Sequence, residues 1–323
     1  MKVRIKLITP VHIGSGENIS PIEYFIDRER GFFNVLNMES LFLDQAFGKY
    51  RENFLKEASS SRYIGKIISD QTLLKKHIKY SIPISLEARQ NNPIEVKSFI
   101  KSGGRPYLPG SSIKGAMISA LIYYALKERS QALKERDLII TLMDASDKTD
   151  SEYRKLLDLA YGFLSKAERK IEKGPGDRFL NLLDVSDSAY LDSAKTLKVE
   201  LVKVEGGGKK ESVPIMCETM KESTETEIDI RCKKCRLKEE EIFQICHDFY
   251  LKVAKKDGLN FQNQPYLLRL GQGASAFSTS LLILAEELGI NDYPVKPPRT
   301  RKRIMAGPEK KPLGFVQLIR LGN

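Results

Sequence analysis

A strongly apolar run of twelve residues, Gly115 to Leu126, which includes Ser119, constrains this chain more than any other feature. It is well short of the ~20 residues that a membrane-spanning helix requires. Pro109 and Gly110 precede it, and Ser111 or Ser112 is placed to cap a helix reaching about Lys127. Ile113, Met117, Ala120, Leu121 and Tyr124 share one face of that helix, and the remaining faces are nearly as apolar. Such a helix needs cover on most sides, so the rest of the chain has to wrap it. With 323 residues the chain is long enough for about two domains and an ample core. Hydrophobic residues at 41%, with charges spread throughout, exclude an intrinsically disordered chain.

Strand and helix patterns are interleaved along the whole sequence. Met1, Val3, Ile5 and Leu7 alternate with Lys2, Arg4 and Lys6, the period of a half-buried strand with a basic outer face. A loop rich in small residues follows over 9–20, then a strand near 23–27, a helix over 40–58 and two extended segments between 82 and 100. Residues 130–173 read as a charged helical insertion that Gly174, Pro175 and Gly176 terminate. Further strands are expected at 179–185, 197–201, 224–230, 266–270 and 313–321, with a helix running to about Lys256. A second domain is placed at 192–323, after an N-terminal domain of 1–191. Gly206 to Lys210 suit a projecting hairpin, and 293–312, rich in proline, lysine and arginine, suits a mobile basic loop. No internal repeat stands out beyond a loose similarity of the two halves.

Lys and Arg number 53 against 42 Asp and Glu, a net +11 with a pI near 9.3, which makes nucleic acid the leading partner class. Charges interrupt the N-terminal apolar residues, so no signal peptide is expected, and no membrane; the expected compartment is the cytoplasm. There, Cys217, Cys232, Cys235 and Cys246 are expected as reduced thiols or metal ligands rather than disulfides.

The turn Arg105 to Gly115 delivers a helix start whose unpaired N–H groups attract phosphate, with Lys114 adding a point charge. A plain Pro-Gly stop with a serine cap is the equal alternative, and the spacing is not that of a P-loop. Gly271, Gln272, Gly273 and Ala274 follow a strand, yet no βαβ unit fits after them, so no dinucleotide cofactor is expected. A simple turn and a close backbone approach to a phosphodiester both remain. Lys97, Phe99 and Lys101 alternate with Val96, Ser98 and Ile100, forming a basic and aromatic face with Arg89 and Arg105 beside it, unless it is only a solvated face.

Three features suggest chemistry without completing it. His12 titrates near neutrality, but no second group pairs with it on paper, and a structural role is the expectation. Asp184 with Asp187, or Asp144, Asp147 and Asp150, suit loops and caps better than Mg²⁺. Cys232, Cys235, Cys246 and His247 count four zinc ligands at a non-standard spacing, and core packing is favoured, so no metal is expected.

Taken together, five segments resemble one family: Thr9 to Gly16, Pro106 to Gly115, Phe179 to Asp187, Gly271 to Phe277 and Pro312 to Phe315. The chain resembles the RAMP proteins of type III-A CRISPR effector (Csm) complexes, the branch of the fifth subunit in particular. The resemblance implies an α+β fold of two ferredoxin-like, RRM-related domains with a helical insertion. It implies a non-catalytic subunit that caps the backbone filament at the 3′ end of the CRISPR RNA and supports its maturation and target RNA binding. Its implied neighbours are the repeated backbone RAMP subunit and the small subunit, with Gly206 to Lys210 as the hairpin at the guide–target duplex. The expected RNA contacts are Gly14, Ser15, Gly16, Arg89, Lys97, Lys101, Arg105, Ser111, Ser112, Lys114, Gly271, Gly273, Arg299 and Arg301, with no catalytic residue and no cofactor. Ala274 and Ala276 stand where the family pattern has glycine or basic residues. The alternatives are a RAMP-type endoribonuclease that uses His12 or a tyrosine to activate a 2′-hydroxyl, and an assembly protein that meets RNA incidentally.

Overall fold

The computed structural model describes residues 1–58, 62–144, 150–166, 179, 181–205, 214–261, 264–297, 301–304 and 310–321. The alternating N-terminus forms β1 (Lys2–Leu7), its apolar residues buried. The small-residue segment expected as a loop instead holds β2 (Gly14–Ile19), an edge strand in which only Ile19 is buried. β3 (Tyr24–Asp27) and β4 (Phe32–Leu36) follow as a hairpin. The single helix expected over 40–58 is broken. Asp44 ends α1 (Met38–Leu43) and its carboxylate caps a 3₁₀ turn, Gln45–Tyr50, that leads into α2 (Arg51–Ala58). α3 (Ile64–Ile67), α4 (Gln71–Lys76) and β5 (Ile78–Pro83) complete a lobe in which β3, β4 and β5 form one sheet over a small core around Leu41, Phe47 and Phe54.

After α5 (Leu86–Gln90) come β6 (Val96–Phe99) and the short pair β7 (Lys101–Ser102) and β8 (Arg105–Pro106). α6 (Gly110–Arg129) is the central helix, and α7 (Leu133–Asp144) and α8 (Asp150–Leu164) are the described parts of the helical insertion. β9 (Leu183–Val185), α9 (Ser193–Thr196), β10 (Leu197–Glu205), β11 (Ile215–Met220) and β12 (Glu225–Cys232) follow. Then come α10 (Glu239–Lys256), β13 (Leu267–Arg269), α11 (Ala276–Thr279) and α12 (Leu282–Leu288). β14 (Arg301–Ile304) and β15 (Lys311–Pro312) pair within the stretch expected as a loop, because Ile304 is buried against β10; β16 (Phe315–Arg320) ends the series. The Gly206–Lys210 hairpin and Arg299 lie outside the described residues.

These strands make two main sheets, ordered β13-β16-β1-β12-β9 and β15-β14-β10-β11-β6-β2. Each draws on both sides of residue 192: β1 lies antiparallel between β12 and β16, and β6 runs parallel to β11. The sheets therefore do not divide at 191. α6 packs against α8, α10 and the β9 and β13 strands, which gives its apolar faces the cover they need, and Tyr250 donates to the Ala116 carbonyl oxygen at 3.0 Å. Sheets and helices thus form an α+β architecture with one large core.

Candidate nucleic-acid interface

Four segments distant in sequence meet at Pro10–Ile13. Val11 bridges to Met220 at the end of β11, the Ile100 N–H reaches the Ile13 carbonyl at 2.8 Å, the Gly314 N–H reaches that of Pro10 at 2.9 Å, and the Gln272 N–H reaches that of His12 at 2.7 Å. Gly271 and Gly273 hold positive φ angles of 76° and 99°, and a Cβ on Gly271 would overlap the His12 carbonyl, so only glycine closes this crossing. Lys97 stands beside it, its ammonium donating to Gln272 Oε1 at 3.4 Å. β2 forms the adjoining rim, with Gly14, Ser15 and Gly16 exposed. The structure therefore brings together Gly14–Gly16, Lys97 and Gly271–Gly273.

Buried charges hold the loop from behind. Arg269, on β13, donates to the carbonyl oxygens of Gly273 (3.0 Å) and Leu313 (3.1 Å), pairs with Asp257 and stacks over Phe315 with 4.8 Å to the ring centroid. Both members of that pair are buried, so each needs the other. On the second sheet Glu218, 0% exposed, accepts from the Tyr80 hydroxyl at 2.7 Å, the Phe99 N–H at 2.8 Å and the Lys101 ammonium. Burial, then the Glu218 charge, pushes the Tyr80 phenol above its ordinary range. Gln272, Arg269 and Glu218 were not singled out from the sequence. A charge inside an apolar strand, as in Leu268-Arg269-Leu270 and Met216-Cys217-Glu218, is the signal that finds the last two.

The expected basic and aromatic face over 97–101 is not there. Val96 and Phe99, three residues apart, are both buried, because the alternation breaks where the β6–β2 pairing shifts register. Phe99 offers no ring for stacking, and Lys101 turns inward to Glu218.

The start of α6 is closed by the chain itself. Gly110 begins the helix after Pro109 with no side-chain cap from Ser111 or Ser112; the Gly110 N–H donates instead to Asp187 Oδ1 at 2.7 Å. Ser111 is exposed, and Ser112 and Lys114 are half-buried. Arg105 is exposed and donates to the Tyr190 carbonyl at 2.9 Å, whereas half-buried Arg89 lies by the β3–β4 hairpin, its carbonyl accepting from Arg28. Arg301 is on β14.

His12 is 2% exposed, with Nδ1 2.7 Å from the Glu218 carbonyl oxygen. Burial holds its imidazole below the ordinary range, opposed by that hydrogen bond and helped by Lys97 and Lys101. Asp184 pairs with Lys233 at 2.5 Å, which lowers its carboxyl pKa. Among the described residues no three His, Cys, Asp or Glu side chains come together to hold a metal ion. All four cysteines are free thiols, and burial pushes the Cys232 thiol up to about 12. Among the described residues no helix is long and apolar enough to cross a membrane.

The chain as a whole has counterparts among known proteins. The family model of the RAMP superfamily matches residues 4–279, and the chain belongs to that superfamily. Within it, the chain is similar to the CRISPR system Cms protein Csm5 of Methanocaldococcus jannaschii, 30% identical over 209 residues that make up 59% of this chain and 43% of that protein. It is also similar to the protein of the same name from Streptococcus thermophilus, 23% identical over 344 residues, 98% of this chain and 90% of that one. The chain thus spans under half the length of the first relative and nearly all of the second.

Among solved structures, a chain of the cryo-EM Csm–crRNA–target RNA ternary complex of a type III-A CRISPR-Cas system aligns with TM-score 0.70 at 22% identity, covering 99% of this chain and 100% of that one. The crystal structure of T. onnurineus Csm5 aligns with TM-score 0.66 at 21% identity, covering 97% and 99%. The fold is accordingly that of ferredoxin-like RAMP domains.

Proposed function

We propose that this protein is a Csm5-type, non-catalytic RNA-binding subunit of a type III-A interference complex. It caps the backbone filament at the 3′ end of the CRISPR RNA and supports guide maturation and target RNA binding beside the repeated backbone and small subunits. The observation that carries this reading is the convergence of Gly14–Gly16, Lys97 and Gly271–Gly273 at one crossing. That crossing sits in a fold aligned end to end with a chain of a Csm–crRNA–target RNA complex. Glycines let a phosphodiester chain approach the backbone, and Lys97 supplies a cation, so the contacts position RNA without reading its sequence. Ser111, Ser112, Lys114, Arg89 and Arg105 extend the proposed contacts away from that crossing. The endoribonuclease reading has less support, since among the described residues no second histidine or carboxylate lines the small cavity at the His12 ring.

A tagged copy purified from its native context is expected to carry CRISPR RNAs of defined 3′ length together with other Csm proteins. Purified chain is expected to bind single-stranded RNA with steep salt dependence, and Lys97→Ala to flatten the log–log slope by roughly 0.7, the contribution of one phosphate contact. Affinity insensitive to salt would sink this reading. A protein complex that survives nuclease treatment intact would favour the assembly role instead.

A further inference from the structure

His12 Nε2 is buried and, among the described residues, has no hydrogen-bond partner. Its chemical state follows from the opposite side of the ring. Nδ1 faces the Glu218 carbonyl oxygen at 2.7 Å, and a carbonyl only accepts, so Nδ1 carries the proton. Burial, with Lys97 and Lys101 nearby, opposes a second proton against the Glu218 carbonyl and charge that favour one, and in the singly protonated ring Nε2 presents a lone pair. A buried acceptor with nothing to accept from is costly, and it marks a place where a donor belongs.

The surroundings describe that donor. His12, Lys97, Gln272 and Gly273 are among the residues lining a cavity of about 10 Å³, room for one water-sized group. Gly14 lies beside the ring, and a Cβ there would stand 3.4 Å from Nε2, in contact with it. Lys97, which lines the same cavity, donates to Gln272 Oε1 at a long 3.4 Å, a contact easily exchanged for a phosphate on the same ammonium. Within the sugar–phosphate backbone, phosphate and deoxyribose offer no hydrogen-bond donor, whereas ribose carries one, the 2′-hydroxyl, next to its 3′-phosphate.

We propose that His12 Nε2 accepts a hydrogen bond from a ribose 2′-hydroxyl while Lys97 holds the neighbouring phosphate, so that this site selects RNA over DNA. The proposal rests on the RNA-binding reading above and adds the group by which RNA is told apart.

The test compares the affinity of the full chain for an oligouridylate and the matching oligodeoxyuridylate, which differ only at the 2′ position. The wild-type protein is expected to favour the ribo form. His12→Asn keeps an N–H for the Glu218 carbonyl and removes the lone pair, and the ribo-to-deoxyribo ratio is expected to fall about five-fold, the worth of one neutral hydrogen bond. Gly14→Ala, which puts a methyl group against Nε2 and leaves the ring in place, is expected to lower the ratio too and answers the question if His12→Asn does not fold. The chain has only three histidines, so long-range proton–nitrogen NMR reads Nε2 directly; its resonance is expected to move on adding the RNA but not the DNA. Ratios unchanged in both variants, or equal shifts with both oligonucleotides, overturn the 2′-hydroxyl assignment and leave RNA binding standing. Binding to neither oligonucleotide overturns both.

Discussion

The glycine turn before α6 and the glycine loop after β13 solve the same packing problem with opposite outcomes. At each, a backbone crosses another at contact distance: a Cβ on Gly110 would fall 2.6 Å from the Ser186 carbonyl oxygen, and one on Gly271 would overlap that of His12. At Gly110 the exposed donor is consumed, because Asp187 brings a carboxylate to the helix end. At Gly271 an acceptor is left over, because the His12 ring is pinned on one nitrogen and bare on the other. The first crossing satisfies its own backbone donor; the second leaves a polar atom open to a ligand.

The comparison breaks most visibly if the loop loses its anchor. Arg269→Ala removes the guanidinium buried against Asp257 and releases Gly273, and is expected to destabilise the protein by about 3 kcal/mol in chemical denaturation. An effect below about 1 kcal/mol would mean that the pair does not hold the loop. Gly110→Ala is expected to destabilise by about 1–3 kcal/mol through overlap with Val185 and Ser186, while Gly115→Ala, with open space around it, stays near neutral or stabilises. Equal costs at the two glycines would contradict the close crossing.

The smallest effect concerns pH. The folded state lowers the His12 pKa below its ordinary 6.5, so the stability it contributes is complete above 6.5 and is lost as pH falls through that value towards the folded-state pKa. Unfolding midpoints measured from neutral to mildly acidic pH should therefore decline less steeply in His12→Asn than in the wild-type protein. Parallel curves would show that the ring protonates as freely in the folded state as in the unfolded one.

Much of the fold was legible because periodicity is local. The alternation of β1 and β12 and the apolar run of α6 match the elements that form. β2 was not legible, since an edge strand of Gly14, Ser15, Gly16, Glu17 and Asn18 has no apolar face to alternate. The break at Asp44 competes with helix formation through a cap that periodicity does not register. At the site, the glycines and Lys97 were legible as residue types, but their meeting depends on pairings across the whole chain, such as Lys97 with Gln272. Lys101 read as a surface cation because nothing near it in sequence announces Glu218, more than a hundred residues on.

β1 also sets the order in which this molecule is made. Its partners on the two sides are residues 225–229 and 316–320, so a strand at residues 2–7 waits for segments more than two hundred and more than three hundred residues further on before its sheet exists. Pairings of such high contact order close slowly. Until then, the apolar face of β1 and the bare α6 run are what a nascent chain shows to chaperones.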